Sequence, residues 1–382
     1  MINVGDPHLG DVTDCIEIDG IPSKVSDTLA RLSELVDIAA NWKESLVLMG
    51  DVWDTSAPKP FVIEGLFRIF KKAWQLGVKI YIIPGNHDCD VRWSNLVIAE
   101  HSNYDNVICI TAPTLLEVDG QAVLFVPHIP KRYEDSILQG RSYEQMIAEM
   151  VKKSKHKVIC ITHAQIYGSS VTAGTEREME AGTAITLDIG KLPALRALFA
   201  GHVHQAQHFM HIRYKFPIAY SGSLVPHNFG EGDDATVGKS FIHSTPDLVY
   251  DAVDYETAIQ EYKTIKLNAL NGPIQITDAV RKKVATLQDK LLKLVIHCNS
   301  RDEVNETEIK ELFDETSHVL RIEYVIHRDE TKHHISAETA ILDNLDHAQL
   351  LEDYLDEDES DASTKQMALE IGREIIASCL TK

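Results

Sequence analysis

Two short stretches most constrain what this chain can fold into. Ser45-Leu-Val-Leu48 runs into Met49-Gly50-Asp51-Val52-Trp53-Asp54, and Val78-Lys-Ile-Tyr-Ile-Ile83 runs into Pro84-Gly85-Asn86-His87-Asp88. Apolar runs of that length, rich in Val and Ile and stopped by glycine, read as buried strands of a parallel sheet. In open α/β sheets the ligand crevice lies just past the carboxyl ends of the strands. Asp51, Asn86 and His87 are therefore delivered to one crevice, on turns that Gly50 and Gly85 permit. An acid, an amide and an imidazole on turns point to a metal site rather than to packing.

The rest of the chain repeats this grammar. Residues 2–5 read as a very short strand, followed by Gly5-Asp6-Pro7-His8, in which Pro7 stiffens the presentation of Asp6 and His8. Residues 23–43 and 60–76 carry apolar side chains at helical spacing and serve as crossovers, which makes βαβαβ order and a layered α/β domain. Two further strands are expected between 107 and 128, the second being Ala122–Val126, and a helix at 142–154. The strand 157–162 delivers His163, and another beginning at Ala197 delivers His202 and His204. Residues 166–190 are polar and rich in Gly and Thr, as in a functional loop.

Beyond about residue 250 the texture changes. A strand at 262–267, a helix at 278–292, a strand at 293–298, a helix at 306–314 and a strand at 318–327 outline a small α+β module. Seven of the ten residues 352–361 are acidic, and 365–380 has an apolar face at helical spacing, suited to docking on its own domain or on a partner. The expected divisions are 1–245, 246–330 and 331–382.

Net charge is −21, of which −14 lies in the last 142 residues. Such a balance argues against unaided tight binding to nucleic acid, which rests on clustered Lys and Arg. No apolar run approaches the roughly 20 residues of a membrane span. Met1 leads straight into the first motif, leaving no room for a signal peptide, and the six cysteines form no C-x-x-C pair. Reduced thiols in a cytoplasm are the expectation, a host cytoplasm if the chain is phage-encoded.

Asp6, His8, Asp51, Asn86, His163, His202 and His204 together offer seven O and N ligands, enough for two divalent ions sharing one carboxylate. Mixed carboxylate, amide and imidazole ligation suits Mn, Fe or Zn better than Mg or Ca. Two such ions can clamp the attacking and leaving oxygens of a phosphoryl group. His87, next to a ligand, is placed to stabilise the developing charge or to protonate the leaving alkoxide. Any one of these histidines alone reads as an ordinary surface or core residue; five strand-end motifs in this order do not.

As a set, Gly-Asp-x-His, Gly-Asp-x-x-Asp, Gly-Asn-His-Asp, a lone His after a strand and Gly-His-x-His resemble the calcineurin-like metallophosphoesterase superfamily over residues 4–204. The resemblance implies a four-layer α/β/β/α sandwich with a small α+β cap and a C-terminal helical tail. It also implies one ion on Asp6, His8, Asp51 and His204, a second on Asp51, Asn86, His163 and His202, and His87 as the acid. Gly50-Asp-Val-Trp-Asp54 with Pro58, and Tyr220-Ser-Gly-Ser-Leu followed by Gly238-Lys-Ser-Phe, resemble SbcD-like exonuclease subunits and their phage relatives. That branch implies a Mn-dependent DNA exonuclease or endonuclease of repair and recombination (Mg, Fe and Zn being the other candidate ions). It further implies an ABC-type coiled-coil ATPase partner, SbcC-like, and a homodimer.

Gly232–Ser240 ends in Gly-Lys-Ser but lacks the first glycine and the preceding strand of a phosphate loop, so any ATP dependence would come from the partner. Arg92 and Ser221 are the candidate substrate contacts, with Lys131, Arg132 and the 152–157 lysines as further phosphate contacts, and 172–186 with Arg177 as a substrate loop. His208 and His211 read as surface residues. The competing functions are hydrolysis of a small phosphodiester or phosphomonoester, and a scaffold with a decayed site.

Overall fold

A computed structural model of the chain describes residues 1–89, 104–167, 185–233, 239–256, 259–270, 274, 278–314 and 317–327. The chain divides into two compact units, Met1–Val325 and Ile326–Lys382. Of the second only residues 326 and 327 are described, so the acidic stretch and the expected terminal helix lie outside the described residues.

The strands of the first half are β1 (Ile2–Val4), β2 (Glu17–Ile18), β3 (Ile21–Pro22), β4 (Leu46–Met49), β5 (Ile80–Ile83), β6 (Val107–Cys109), β7 (Thr114–Val118), β8 (Gln121–Val126) and β9 (Ile159–His163). They continue with β10 (Gln165–Ile166), β11 (Thr186–Leu187), β12 (Ala197–Gly201), β13 (Gln207–Met210), β14 (Pro217–Tyr220), β15 (Ser240–His243), β16 (Asp251–Asp254), β17 (Tyr262–Asn268), β18 (Leu291–Cys298) and β19 (His318–Ile326). One six-stranded sheet runs β16-β15-β1-β4-β5-β6 and a second runs β13-β14-β12-β9-β8-β7. In the first, β1, β4, β5 and β6 are parallel, and in the second so are β8, β9, β12 and β14.

The central strands of each sheet are buried on both faces, which is why β4 and β5 are unbroken apolar runs with no alternation. Between the sheets, Val47, Met49 and Ile83 meet Phe125, Ile161 and Phe199. Over the outer face of the first sheet lie α1 (Ser23–Trp42) and α2 (Pro60–Leu76). Their buried Leu32, Leu35, Val36 and Ala39, and Leu66, Ile69, Phe70 and Ala73, fall at helical spacing. The helix Tyr143–Val151 covers the second sheet through Met146 and Ile147, and starts at a capping box made by Ser142 and Gln145. The layers are thus helix, sheet, sheet, helix, as expected. Truncating a fully buried ring such as Phe70 or Phe125 to Ala would cost about 3–5 kcal/mol.

Several local expectations are corrected. Three strands, not two, lie between 107 and 126, because β7 and β8 form a hairpin across Asp119-Gly120, both at positive φ. An Asp-Gly pair between apolar runs is a strong hairpin signal that the periodicity alone conceals. The helix expected at 278–292 ends at Ala285, since Leu291 and Leu292 are fully buried in β18. The helix Lys131–Leu138, the β2–β3 ribbon and the edge strand β13 were not anticipated. Strand β16 is hydrogen-bonded to β15, so the first sheet runs past the expected division at 245.

The α+β module has a three-stranded sheet, β17-β18-β19, with helices Asp278–Ala285 and Glu306–Asp314 sharing its core. It meets the rest of its unit where Phe229, Tyr262 and Leu291 pack with Ile16. Tyr262 donates its hydroxyl to Asp14 O at 2.9 Å, and Arg321 pairs with the Asp14 carboxylate at 2.9 Å.

Candidate metal centre

Parallel strands bring their carboxyl ends to one edge, and the turns after β1, β4, β5, β9 and β12 converge there. Only glycine fits two of these turns. Gly50 sits at φ +94°, and a Cβ on it would overlap the His163 ring; one on Gly85 would overlap Asp51 Oδ1. Asp6, His8, Asp51 and His202 also adopt left-handed φ, at 54°, 41°, 49° and 91°. Such conformations are costly for side chains other than glycine and persist where surrounding structure enforces them. Asp88 does part of that enforcing. Its carboxylate accepts from the N–H groups of Val52, Trp53 and Gly85 at 3.2, 2.9 and 2.8 Å, tying the β4 and β5 turns together. Burial, and then the charge of Asp51, push the Asp88 carboxyl up to about 6.

Around Asp51 the ligand atoms fall into two groups. In the first, Asn86 Oδ1 lies 3.1 Å from His163 Nε2 and 3.2 Å from His202 Nδ1. His163 Nε2 is also 3.1 Å from Asp51 Oδ2. Because His163 Nδ1 sits 2.9 Å from Met49 O, a group that only accepts, Nδ1 carries the hydrogen and Nε2 faces Asn86 and Asp51. Burial opposes charge on His163, but Asp51 outweighs it and raises the imidazole to about 9. Burial likewise works against ionisation of Asp51, yet the facing histidines hold it well below the usual carboxylate range.

In the second group, His8 Nε2 is 3.6 Å from Asp51 Oδ2 and 3.1 Å from His204 Nε2. Asp6 accepts the His202 backbone N–H on Oδ1 at 2.8 Å, while its buried Oδ2 has no hydrogen-bond partner among the described residues. Burial raises the Asp6 pKa. His87 lies beside both groups, with its ring centroid 4.7 Å from that of His8. Its backbone N–H donates to Asp51 Oδ1 at 2.9 Å, and its Nδ1 donates to Asp54 O at 2.7 Å.

The donor set fits divalent ions. Ligand atoms of Asp6, His8 and Asp51 lie within 4.8 Å of one another, as do those of Asp51, His163 and His202. Two carboxylates at 0% and 1% exposure, with an Asp6 oxygen that meets no donor among the described residues, are costly to bury unless cations share the site. The mixture of carboxylate, amide and imidazole suits borderline transition ions.

A further tier of residues carries no motif and was missed from sequence. The Glu231 side chain is 3% exposed; Oε1 lies 3.0 Å from His204 Nδ1, and Oε2 is 3.2 Å from both Lys239 Nζ and the Ser223 hydroxyl. Burial works against its charge, but Lys239 holds it well below the carboxylate range. Asp11 Oδ2 is 2.7 Å from Lys24 Nζ and 2.9 Å from His227 Nδ1. Burial lowers the His227 pKa to about 4. Lys239 lies in the Gly238-Lys-Ser-Phe stretch that the sequence singled out; nothing in the residue pattern marks Asp11, His227 or Glu231.

All seven ligand candidates and His87 come together. Arg92, most of the 166–190 loop and Arg177 lie outside the described residues. Ser221 is buried, and its hydroxyl accepts from Gly5 N–H at 2.8 Å and donates to Gly222 O at 3.1 Å. It braces the turn after β1. His208 is exposed, whereas His211 is buried, with Nε2 2.9 Å from Ile189 O, and neither joins the cluster. Lys131, Arg132, Lys152, Lys153, Lys155 and Lys157 are exposed. Among the described residues no helix is long and apolar enough to cross a membrane.

Fold and site together define an α/β/β/α protein with clustered His and Asp side chains that could hold divalent metal. The family model for calcineurin-like phosphoesterases matches residues 2–206, more than half of the chain, and the chain belongs to that family. Metal-dependent hydrolysis of phosphoesters is the chemistry of this class. Among solved structures it is similar to TT1561 of Thermus thermophilus, with 12% identity and a TM-score of 0.39, over 66% of this chain and 97% of that one. It is also similar to a dimetal phosphatase from Danio rerio, with 10% identity and a TM-score of 0.42, over 64% and 92%. No curated protein matches the sequence.

Proposed function

We propose that the chain is a divalent-metal-dependent nuclease subunit that hydrolyses DNA phosphodiester bonds. What supports the hydrolytic half most directly is the convergence of seven O and N donors around Asp51. On this reading Asp6, His8, Asp51 and His204 hold one ion, and Asp51, Asn86, His163 and His202 the other. Bound divalent ions supply Lewis acidity to the phosphoryl oxygens. The chain's own groups do the rest. Met49 O fixes His163 so that Nε2 is its ligating atom. Asp54 O holds His87 Nδ1–H, which leaves Nε2 as the atom that carries a proton to the departing alkoxide.

The DNA half rests on two observations. Gly50-Asp-Val-Trp-Asp54 with Pro58 is the stretch similar to double-strand-break nucleases. The α+β module grips Asp14, a few residues past His8, so a polymer leaving the crevice has a second surface close by. We further propose manganese as the working ion, and a coiled-coil ATPase as the partner of residues 331–382. A second reading, hydrolysis of a small phosphoester, is favoured by the net charge of −21, which repels a polyanion.

The separating experiment incubates end-labelled duplex and single-stranded DNA, and in parallel bis-p-nitrophenyl phosphate, with Mn, Mg or chelator. DNA cutting with Mn, absent in Asp51→Asn, is the expected result. Turnover of the small ester with no DNA cut, alone or with the ATPase added, would favour the second reading. Deleting 331–382 is expected to abolish partner capture while sparing small-ester hydrolysis.

A further inference from the structure

We propose that His227 is an additional metal ligand, completing a histidine-rich site with His8 and His204. This rests on the reading that Asp6, His8, Asp51 and His204 hold an ion. Three observations support it. The His227 ring centroid lies 4.6 Å from that of His8 and 4.8 Å from that of His204. One ligand atom from each of the three lies within 4.8 Å of the others. And His227 Nε2, on a side chain only 9% exposed, meets no hydrogen-bond partner among the described residues.

The tautomer follows from the other side of the ring. Asp11 is a buried carboxylate paired with Lys24, so its oxygens only accept. At 2.9 Å from Asp11 Oδ2, His227 Nδ1 therefore carries the hydrogen, and Nε2 keeps its lone pair. A carboxylate holding the far N–H of an imidazole is the arrangement that fixes metal-ligating histidines. His204 is held in the same way by Glu231, at 3.0 Å from Nδ1. Two carboxylate-braced imidazoles thus flank His8. Three imidazoles shift preference toward Zn, Co, Fe or Ni and away from Mg, which favours oxygen donors. His227 would give one of the two ions a harder requirement for a borderline metal than its neighbour.

The test is a Co2+ titration of chelator-treated, full-length protein, followed by calorimetry and visible absorption. Wild type is expected to take up two ions. His227→Ala should bind one of them at least about tenfold more weakly, with a changed absorption band, and Asp11→Asn should weaken the same ion less. Two ions bound by a folded His227→Ala protein with unchanged affinity and spectrum would overturn the proposal alone. Wild type that binds no Co2+ would remove the metal-centre reading and this proposal with it. Should the variant fail to fold, 15N-histidine wild-type protein loaded with 113Cd decides: splitting of the His227 Nε2 resonance is expected, and an unsplit resonance overturns the assignment.

Discussion

The two halves of the centre are built by different means. Around His163 the candidate ligands are set by backbone: Met49 O fixes the ring, and the turns after β4 and β5 are locked by Asp88. Around His204 and His227 the rings are set by side chains, Glu231 and Asp11, which are in turn held by Lys239 and Lys24. Backbone bracing follows from strand ends and glycines in fixed places. Side-chain bracing needs only that distant residues arrive at one spot.

Substitutions can break or sharpen this contrast. Asp51 is common to both halves, so Asp51→Asn should lower phosphoester hydrolysis by roughly a thousandfold or more and weaken both ions; a metal assay on desalted protein checks the second part. Glu231→Gln should act on one half only, weakening the ion at His204 by about 10–100-fold and sparing its neighbour. Equal weakening of both would mean that the halves are coupled through the fold.

Proton linkage offers a third handle. In the metal-free chain His163 is raised to about 9, so a binding ion must displace its proton. Affinity at that half should climb about tenfold per pH unit up to about pH 9 and then level off, read by calorimetry in buffers of different protonation enthalpy. Stability of the metal-free chain should move the opposite way. The raised pKa contributes fully below about 6.5, the ordinary histidine value, and its contribution is lost as pH rises through about 9. The smallest effect expected is at Asp88. Replacing it with Asn leaves buried N–H groups short of an acceptor and should cost about 1–3 kcal/mol in urea unfolding.

The same division explains what could be read from sequence. Asp6, His8, Asp51, Asn86, His163, His202 and His204 were legible because each follows a strand directly, and parallel strands bring their ends together whatever lies between. The layer order was legible for a related reason: apolar runs such as β4 and helical stripes such as α1 and α2 each demand a partner layer. His227 was not legible. It lies well past the last strand-end motif, and its bracing residue Asp11 is more than two hundred positions earlier in the chain. No local period encodes that meeting. The β7–β8 hairpin was legible in Asp119-Gly120 but hidden by half-buried neighbours.

The most direct test of a two-ion phosphoesterase centre is a Mn titration of chelator-treated protein, with bis-p-nitrophenyl phosphate turnover read at each step. Activity that rises to a plateau at two equivalents, and stays at background in Asp51→Asn, is the predicted result. Full turnover in the presence of chelator, or in Asp51→Asn, would contradict it.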